Sequence, residues 1–187
     1  MRIVSGVYGG RKLNVPKGRD IRPTSDKIRG AVFNMLSSRG AIEDARALDA
    51  FCGSGALGLE AISRGAAHVT FFDKSRDSLS LTRENAEMLG ADVHSKFEIK
   101  DSSNLPCNRG DDTYSLVFLD PPYHNGLIDK ALLSFRDGGW LGRDAWIVCE
   151  SERNFNFKLP QDFTLDNEKI YGEIKITLLR YQPITPV

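Results

Sequence analysis

A regular alternation of strand and helix patterns fills the sequence from Ala45 onward. Apolar runs such as "ARALDAF" and "HVTFFDKS" are each followed by apolar residues at helical spacing, as in "GALGLEAISRGA" and "RDSLSLTRENAEMLGA". The series continues with the strands "HSKFEIKDS" and "YSLVFLDPPY", the helix "LIDKALLSFRDGGW" and the strand "AWIVCES". Because parallel strands are joined through helices, this order predicts an α/β fold in which helices cover a mainly parallel sheet.

Different patterns lie at the two ends of the chain. The segment "LDNEKIYGEIKITLLRYQ" predicts a closing antiparallel pair of strands. The segment "RIVSGVYGGRKLNV" predicts a β-hairpin, and "RPTSDKIRGAVFNMLSSRG" predicts a helix that is capped by Thr24 or Ser25 and by Gly40. We expect a single domain, 1–187, in which this hairpin and helix form an N-terminal extension, 1–40.

Composition narrows the classes of function. No apolar run approaches the ~20 residues of a membrane span, and the first residues lack the apolar core of a secretory signal. We therefore expect a cytoplasmic protein without a membrane partner. The cysteines and histidines are too scattered for a disulfide framework or a metal centre, so no metal is expected. They are Cys52, Cys107, Cys149, His68, His94 and His124.

Positive charge is concentrated at the N-terminus, although the formal net charge of the whole chain is zero. Between Met1 and Gly30 there are eight basic residues and two acidic ones. Charge runs often belong to an ordinary solvated surface, but these are interleaved with Gly, Pro and Thr, which indicates a surface for nucleic-acid phosphates. The candidates are Arg2, Arg11, Lys12, Arg22, Lys27 and Arg29.

Aspartates end four successive predicted strands, at Asp49, Asp73, Asp101 and Asp120. Ligands of open parallel sheets bind at the carboxyl ends of the strands. A single carboxylate there would mean little, whereas four on one edge predict a binding site.

The loop after the first of these strands has the pattern G-x-G-x-x-G, formed by Gly53, Gly55 and Gly58. With Asp73 as a ribose-binding acid this pattern fits a nicotinamide-dependent dehydrogenase, and it also fits a tight turn that binds no ligand. Asp49 favours a different cofactor, because its charge would repel a pyrophosphate and attract the ammonium and sulfonium of S-adenosylmethionine (SAM). Asp101 could accept from an adenine amino group, although a turn or helix-cap role is the simpler interpretation.

The motif "DPPY" follows the fourth strand. Asp120 and the carbonyl of Pro121 can accept both N–H donors of an exocyclic amine on a nucleobase, which orients the nitrogen for in-line attack on a methyl group. Pro122 stiffens the turn, and Tyr123 offers a face on which the base can stack. Asp120 could also take the released proton, as could water. The alternative is a rigid turn with an exposed tyrosine, which is less attractive beside the glycine loop.

Together, "LDAFCGSGALGLEA" and "FLDPPY" resemble the class I SAM-dependent amino-methyltransferases. With "RIVSGVYGGRKL", "RPTSDKIRGAVFNML", "GLIDKALLSF" and "IYGEIKITLLRY", the sequence is similar to the RsmD family over nearly its whole length. The resemblance implies a three-layer, Rossmann-like sheet of seven strands, with SAM as the cofactor. It also implies methylation of the N2 amine of one guanine in bacterial 16S ribosomal RNA, with the assembled small ribosomal subunit as partner. We expect a monomer.

The resemblance assigns roles to individual residues. The methionine end of SAM would lie against Asp49, Gly53, Ser54 and Gly55, the ribose against Asp73, and the adenine against Asp101 and Ser102, while Cys52, Gly58 and Lys74 complete the expected cofactor site. The target guanine would bind at Asp120, Pro121, Pro122 and Tyr123, with Arg22, Pro23 and Thr24 at the mouth of the site. Two residues depart from the family pattern: Gly30 stands where a glutamate is usual, and Asp73 stands where glutamate is common.

Other functions stay open at this point. The "DPPY" motif is shared with adenine and other amine methyltransferases, so DNA adenine-N6 methylation is an alternative, although the short loops leave little room for a target-recognition insert. A nucleic-acid-binding protein with a vestigial SAM fold is another, which a SAM titration would test. A dehydrogenase ranks last, because it leaves "DPPY" unexplained.

Overall fold

The computed structural model describes residues 1–16, 25–110, 112–122, 126–156 and 158–183. Within these ranges the chain forms four α-helices, seven strands and a short 3₁₀ turn at Asp92–His94. In chain order the elements are α1 (Asp26–Ser37), β1 (Arg46–Asp49), α2 (Ala56–Ser63), β2 (His68–Asp73), α3 (Arg76–Leu89), β3 (Ser95–Ile99), β4 (Tyr114–Leu119), α4 (Leu127–Asp137), β5 (Leu141–Glu152), β6 (Phe163–Tyr171) and β7 (Ile174–Tyr181). Each lies on a segment for which the sequence predicts that type of element.

The seven strands form one sheet in the order β3-β2-β1-β4-β5-β7-β6. Strands β1 to β5 are parallel, and β7 lies antiparallel between β5 and β6. This confirms the predicted Rossmann-like α/β fold, mostly parallel with antiparallel pairing near the C-terminus. The strand order changes direction between β1 and β4, and ligands of such sheets bind beside this switch point.

Helices cover both faces of the sheet and give the fold its three layers. One face packs against α1, α2 and α3 in a core that includes Phe33, Leu59 and Leu79. The other face packs against α4, where Leu132 and Phe135 are buried. The strands are therefore held from both sides, which fixes the positions of the residues at their carboxyl ends.

The N-terminal segment folds back on itself, but it pairs through a single bridge between Arg2 and Lys12 rather than as a full hairpin. Two consecutive backbone N–H groups donate instead to the carboxylate of Glu60 on α2, over 2.6 and 3.0 Å. Ile3 and Leu13 are buried in the core formed by the sheet and α1 to α3. Pairing within the segment is limited to a few backbone hydrogen bonds, such as those from Ile3 to Arg11 and from Leu13 to Met1, because the next donors of its first arm bind Glu60 instead.

Ser25, one of the two predicted caps, begins α1 by accepting a hydrogen bond from the backbone N–H of Ile28. The helix ends at Ser37 with Ser38 as its C-cap, earlier than the predicted cap at Gly40. Gly40 lies in the turn that follows, with φ of +62°. The sequence therefore placed the end of the helix two residues too late, and Gly40 serves the turn beyond the cap.

We expect Gly30→Ala to stabilise the protein. Gly30 lies inside α1, and an added Cβ would meet Val4 Cγ1 at 3.6 Å, an ordinary van der Waals distance. Glycine in a helix interior costs about 1 kcal/mol against alanine, which corresponds to a rise of about 2–4 °C in Tm. Thermal unfolding followed by circular dichroism measures the change. Gly58→Ala is the opposing control, since a Cβ there would lie 2.3 Å from Phe71. A lower Tm for Gly30→Ala would contradict this account.

Candidate active site

Four parallel strands bring the predicted carboxylates to one edge of the sheet. Asp49 and Asp73 are the last residues of β1 and β2, and Asp120 follows β4 directly. Asp101 lies two residues beyond the end of β3. Because these strands are neighbours in the sheet, their carboxyl ends place the four side chains along one edge, on both sides of the switch point.

The glycine loop between β1 and α2 requires glycine at two positions. Gly53 and Gly55 have φ of +53° and +79°, in the left-handed region. A Cβ on Gly55 would lie 2.5 Å from Thr82 Cγ2, whereas no described atom lies within 4 Å of the Cβ position of Gly53. The N–H of Gly53 donates to Asp73 over 3.1 Å and ties the loop to β2. The loop therefore leaves room for a ligand to approach its backbone at Gly53.

Asp49 lies beneath this loop, with 2% of its surface exposed. Its Oδ2 accepts a hydrogen bond from the backbone N–H of Gly58 over 3.0 Å. Burial raises the pKa of Asp49 to about 7; the Gly58 hydrogen bond opposes this rise, and the charge of Asp73 adds to it. The carboxyl group therefore changes charge near neutral pH, and a cationic ligand beside it would favour the ionised form.

Three residues predicted to bind the cofactor face the interior of the protein. Gly58 packs against β2 at a point where a side chain would not fit. The thiol of Cys52 lies 3.5 Å from the Thr82 hydroxyl, and burial raises the pKa of this thiol. Ser102 is buried, and its hydroxyl donates to the carbonyl of Ala50 over 2.6 Å. The side chains of Cys52 and Ser102 shape the loops of the site, so a direct contact of these residues with a ligand would come from the backbone.

Asp73 and Asp101 each hold a turn and keep acceptor capacity. Asp73 accepts one backbone N–H on each of its oxygens. Asp101 accepts from the N–H and hydroxyl of Ser103 over 3.0 and 2.6 Å and forms an ion pair with Lys74 at 2.7 Å. Burial raises the pKa of Asp101, but the hydrogen bonds from Lys74 and Ser103 outweigh this and lower it. A carboxylate has about four acceptor sites, so Asp73 keeps about two and Asp101 about one.

Asp120 and Pro121 lie directly after β4, beside the switch point. Asp120 is half-buried, Pro121 is buried, and Pro122 is exposed. Burial raises the pKa of Asp120 well above its ordinary value, and the charges of Glu150 and Asp49 raise it further. A raised pKa suits Asp120 to take up a proton.

Glu150 is a further carboxylate of the site that the sequence reasoning missed. It lies near the end of β5 and is 4% exposed. Cys149 pairs with Leu119 across the parallel strands, so Glu150 and Asp120 occupy the next positions in register. The sequence did contain an indication of Glu150, because "CES" ends the fifth predicted strand at the same edge as the four aspartates.

Part of the predicted RNA-binding set is exposed. Arg2, Lys12 and Lys27 are exposed, and Arg2 forms an ion pair with Asp26, at the start of α1, over 2.9 Å. Arg22, Thr24 and Tyr123 lie outside the described residues, so their predicted roles stay predictions.

The structure corrects the prediction for Arg29. Its side chain is buried, with ion-pair distances of 2.8 Å to Asp26 and 3.7 Å to Glu60. A guanidinium in this position holds α1 against α2 and is not available to an RNA phosphate. Arg11 is exposed but also used within the fold, because it donates to the carbonyls of Met88 and Leu89 at the end of α3.

The part of the chain that the structure describes holds neither a cluster of metal ligands nor a membrane-spanning helix. That part contains no group of three or more His, Cys, Asp or Glu side chains arranged to hold a metal ion. None of its helices combines the length and the apolar character that a bilayer crossing requires.

Comparisons with known proteins agree with this fold. The model of the family described as "Conserved hypothetical protein 95" matches residues 1–180. The chain is 36% identical over 179 residues to the ribosomal RNA small subunit methyltransferase D of Escherichia coli, covering 95% of this chain and 88% of the relative. The protein of the same name from Haemophilus influenzae is 33% identical, over 95% of this chain and 92% of that protein. The solved structure of Escherichia coli yhhF has a TM-score of 0.86 at 36% identity, covering 97% of this chain and 98% of that chain. The chain therefore belongs to the RsmD family and has the fold of the class I methyltransferases.

Proposed function

We propose that this chain transfers a methyl group from SAM to the N2 amine of a guanine in 16S ribosomal RNA, within the small ribosomal subunit. The observation that carries the proposal is the position of Asp120 and Pro121 beside the Asp49 glycine loop at the switch point. The loop suits a cationic cofactor, and the two acceptors suit an amine. The name of the Escherichia coli and Haemophilus influenzae relatives, ribosomal RNA small subunit methyltransferase D, supports the choice of substrate.

The residues at this edge fit SAM by charge and by space. Asp49 offers a negative charge to the ammonium or sulfonium, and the open backbone at Gly53 allows close approach. Asp73 has acceptor sites left for the ribose hydroxyls, and Asp101 has one left for the adenine amine. Bound SAM supplies a methyl group on a sulfur that leaves with the electron pair of the broken bond.

Asp120 and the Pro121 carbonyl would each accept a hydrogen bond from one of the two protons of the guanine amine. These bonds would hold the nitrogen in line with the methyl group. The nitrogen forms the new N–C bond and then loses one of those protons. Asp120 is suited to receive the proton, because burial and the charge of Glu150 raise its pKa. Catalysis in this proposal is mainly a matter of positioning, since the two acceptors are fixed by a buried strand end.

Glu150→Gln is expected to shift the pH profile of methyl transfer. Transfer requires an ionised Asp120, so its rate rises with pH through the pKa of this carboxyl group. The charge of Glu150 raises that pKa, and the neutral amide removes this effect. Single-turnover rates between pH 5 and 9 should therefore rise at lower pH in Glu150→Gln than in the wild type. A pH profile that is unchanged, or that moves to higher pH, would contradict the assigned effect of the Glu150 charge on Asp120.

We propose that the exposed cations of residues 1–40 bind RNA phosphates around the target. Arg2 and Lys12 lie on the N-terminal segment, and Lys27 lies in the first turn of α1. A guanine amine inside a helix is closed to in-line attack, so the target guanine would lie in a loop or be flipped out. Arg22 and Thr24 remain part of this proposal through their place in the sequence.

Lys27→Gln and Arg29→Gln, two residues apart in α1, are expected to change different properties. The first should weaken RNA binding, and the second should lower the stability of the fold. Lys27→Gln should leave Tm unchanged and reduce the slope of log K against log salt for small subunits by about 0.7–0.9. Arg29→Gln breaks a buried ion pair, which costs about 3–5 kcal/mol of stability. Filter binding at several salt concentrations and thermal unfolding measure both variants. A large fall in Tm for Lys27→Gln, or none for Arg29→Gln, would reverse the assignment.

The proposed function is tested by transfer of a tritiated methyl group from SAM. The substrates are small ribosomal subunits that lack the modification, naked 16S ribosomal RNA and duplex DNA, with nucleoside analysis of the product. N2-methylguanosine from the subunits is the expected result. N6-methyladenine from duplex DNA would keep the cofactor and overturn the substrate. SAM binding without transfer to any of the three would leave a binding protein with a methyltransferase fold.

A further inference from the structure

Asn85 on α3 connects the cofactor loop to the N-terminal segment. Its side chain is fully buried. The Nδ2 group donates to the carbonyl of Ser54 over 2.9 Å and to the carbonyl of Asn14 over 3.0 Å. The Oδ1 atom accepts from the N–H of Asn14 over 2.8 Å. All three hydrogen bonds require the same orientation of one amide group, so Asn85 fixes the loop and the segment relative to each other.

The two connected parts belong to the two halves of the proposed reaction. Ser54 lies in the glycine loop, between Gly53 and Gly55. Asn14 lies two residues after Lys12, which is the bridge partner of Arg2. A second contact joins the same parts, because the Ser54 hydroxyl lies 3.7 Å from the sulfur of Met1. Contacts through Asn85 and through Ser54 itself therefore join the cationic segment to the cofactor loop.

Thr82 is a control residue for the role of Asn85 in joining the glycine loop to the N-terminal segment. It lies on the same helix, three residues before Asn85, and its hydroxyl donates to the carbonyl of Gly53 over 3.0 Å. Thr82 thus holds the same loop, and the structure gives it no hydrogen bond to the described part of the N-terminal segment. Only Asn85 of the two binds both parts.

We propose that Asn85 is a positioning residue that couples SAM binding to RNA binding. The inference rests on the proposed function. RNA on the cations of the N-terminal segment would stabilise the position of Asn14, and the cofactor would stabilise the position of the Ser54 loop. Since one amide holds both, each ligand favours the arrangement that the other needs, and the coupling acts equally in both directions. Coupling between two sites typically changes affinity by about 5–150-fold.

The test measures the affinity for radiolabelled S-adenosylhomocysteine, the product of transfer, by equilibrium dialysis with and without saturating unmodified small subunits. This ligand has no methyl group to transfer, so no turnover disturbs the equilibrium. The wild type should bind it more tightly with subunits present. In Asn85→Ala the ratio of the two dissociation constants should fall to about one. In Thr82→Val both constants should rise and their ratio should stay at the wild-type value.

A second variant guards against a loss of folding in Asn85→Ala. Asn14→Pro removes the N–H that donates to Asn85 and leaves the bond to Ser54 in place, so it should lower the ratio while Asn85 still holds the loop. Thermal unfolding of each variant accompanies the titrations. A ratio that stays at the wild-type value in both variants, or a wild-type ratio of one while both ligands bind, overturns the coupling. Failure of the wild type to bind S-adenosylhomocysteine or the subunits at all overturns the proposed function as well.

Discussion

Asp120→Asn is expected to lower kcat/KM for methyl transfer by about 10²–10³-fold, the usual cost of losing one preorganised group that stabilises a transition state. The amide keeps the shape of the carboxylate but loses its charge and its ability to take the proton. Affinity for SAM should change by a few-fold at most, because Asp120 lies after β4 and the cofactor loop follows β1. Steady-state methyl transfer and equilibrium dialysis with SAM measure the two quantities separately.

The same variant should be more stable than the wild type. Burial and the charges of Glu150 and Asp49 raise the pKa of Asp120, so its ionised form is unfavourable in the folded protein. Removing that charge should raise Tm, by about 2–4 °C for each kcal/mol relieved. The gain should grow as pH rises, since the wild-type carboxyl group then ionises. A group with a purely structural role would lose stability on substitution, so higher Tm with lost activity distinguishes a functional carboxylate.

Asp73→Asn is the matched control for Asp120→Asn. Asp73 also lies at the end of a parallel strand, but its oxygens accept from the N–H groups of Gly53 and Ser75, on the side of the edge where we propose that the cofactor binds. Its substitution should raise KM for SAM and leave kcat close to the wild-type value. If Asp73→Asn and Asp120→Asn lowered kcat alike, the division between cofactor and substrate carboxylates would be wrong.

The sequence predicted the order of strands and helices because the spacing of apolar residues, the helix caps and the turn residues indicate the same elements in most of the chain. It was less accurate where tertiary contacts replace local ones. Strand β5 begins at Leu141, whereas the apolar run predicts a start at Ala145. The intervening residues look like a turn, and Asp144 has φ of +62°, yet Leu141 pairs with Tyr114 through an irregular register. A bulged strand of this kind depends on its neighbour and leaves little local signal.

The sequence likewise predicted some residues of the candidate site and misjudged others. Carboxylates at strand ends need only the strand pattern, so the sequence predicted that the four aspartates lie at one edge of the sheet. The buried role of Arg29 was partly visible, because it is spaced three, four and seven residues before Val32, Phe33 and Leu36, all on the apolar side of α1. Its partner Glu60 is distant in sequence, and only the packing of α1 against α2 brings them together. Counting charges along the chain does not distinguish a buried guanidinium from an exposed one.

SAM should bind more tightly as pH rises to about 7, and its affinity should level off above that value. Burial raises the pKa of Asp49 to about 7, so below this pH the free protein carries a proton that must leave before the carboxylate can pair with a cation. Each pH unit below the pKa should weaken binding by about tenfold. Calorimetric titration of SAM between pH 5.5 and 8.5 measures the slope. Repetition in buffers of different ionisation enthalpy measures the proton released, about one per SAM at the acidic end.

The stability of the free protein should respond to the same carboxyl group with the opposite sign. The folded pKa of Asp49 is above its unfolded value, so between about pH 4 and pH 7 the folded chain binds a proton that the unfolded chain does not. The contribution of Asp49 to the free energy of unfolding therefore falls as pH rises through this window, while the affinity for SAM rises. Asp49→Asn should bind SAM weakly and should lose both slopes attributed to Asp49, although the amide can still accept from Gly58. If the variant kept the wild-type pH dependence of SAM affinity, another group would carry that charge. Two opposite slopes that vanish in one variant would show that folding leaves Asp49 poised to ionise when the cation arrives.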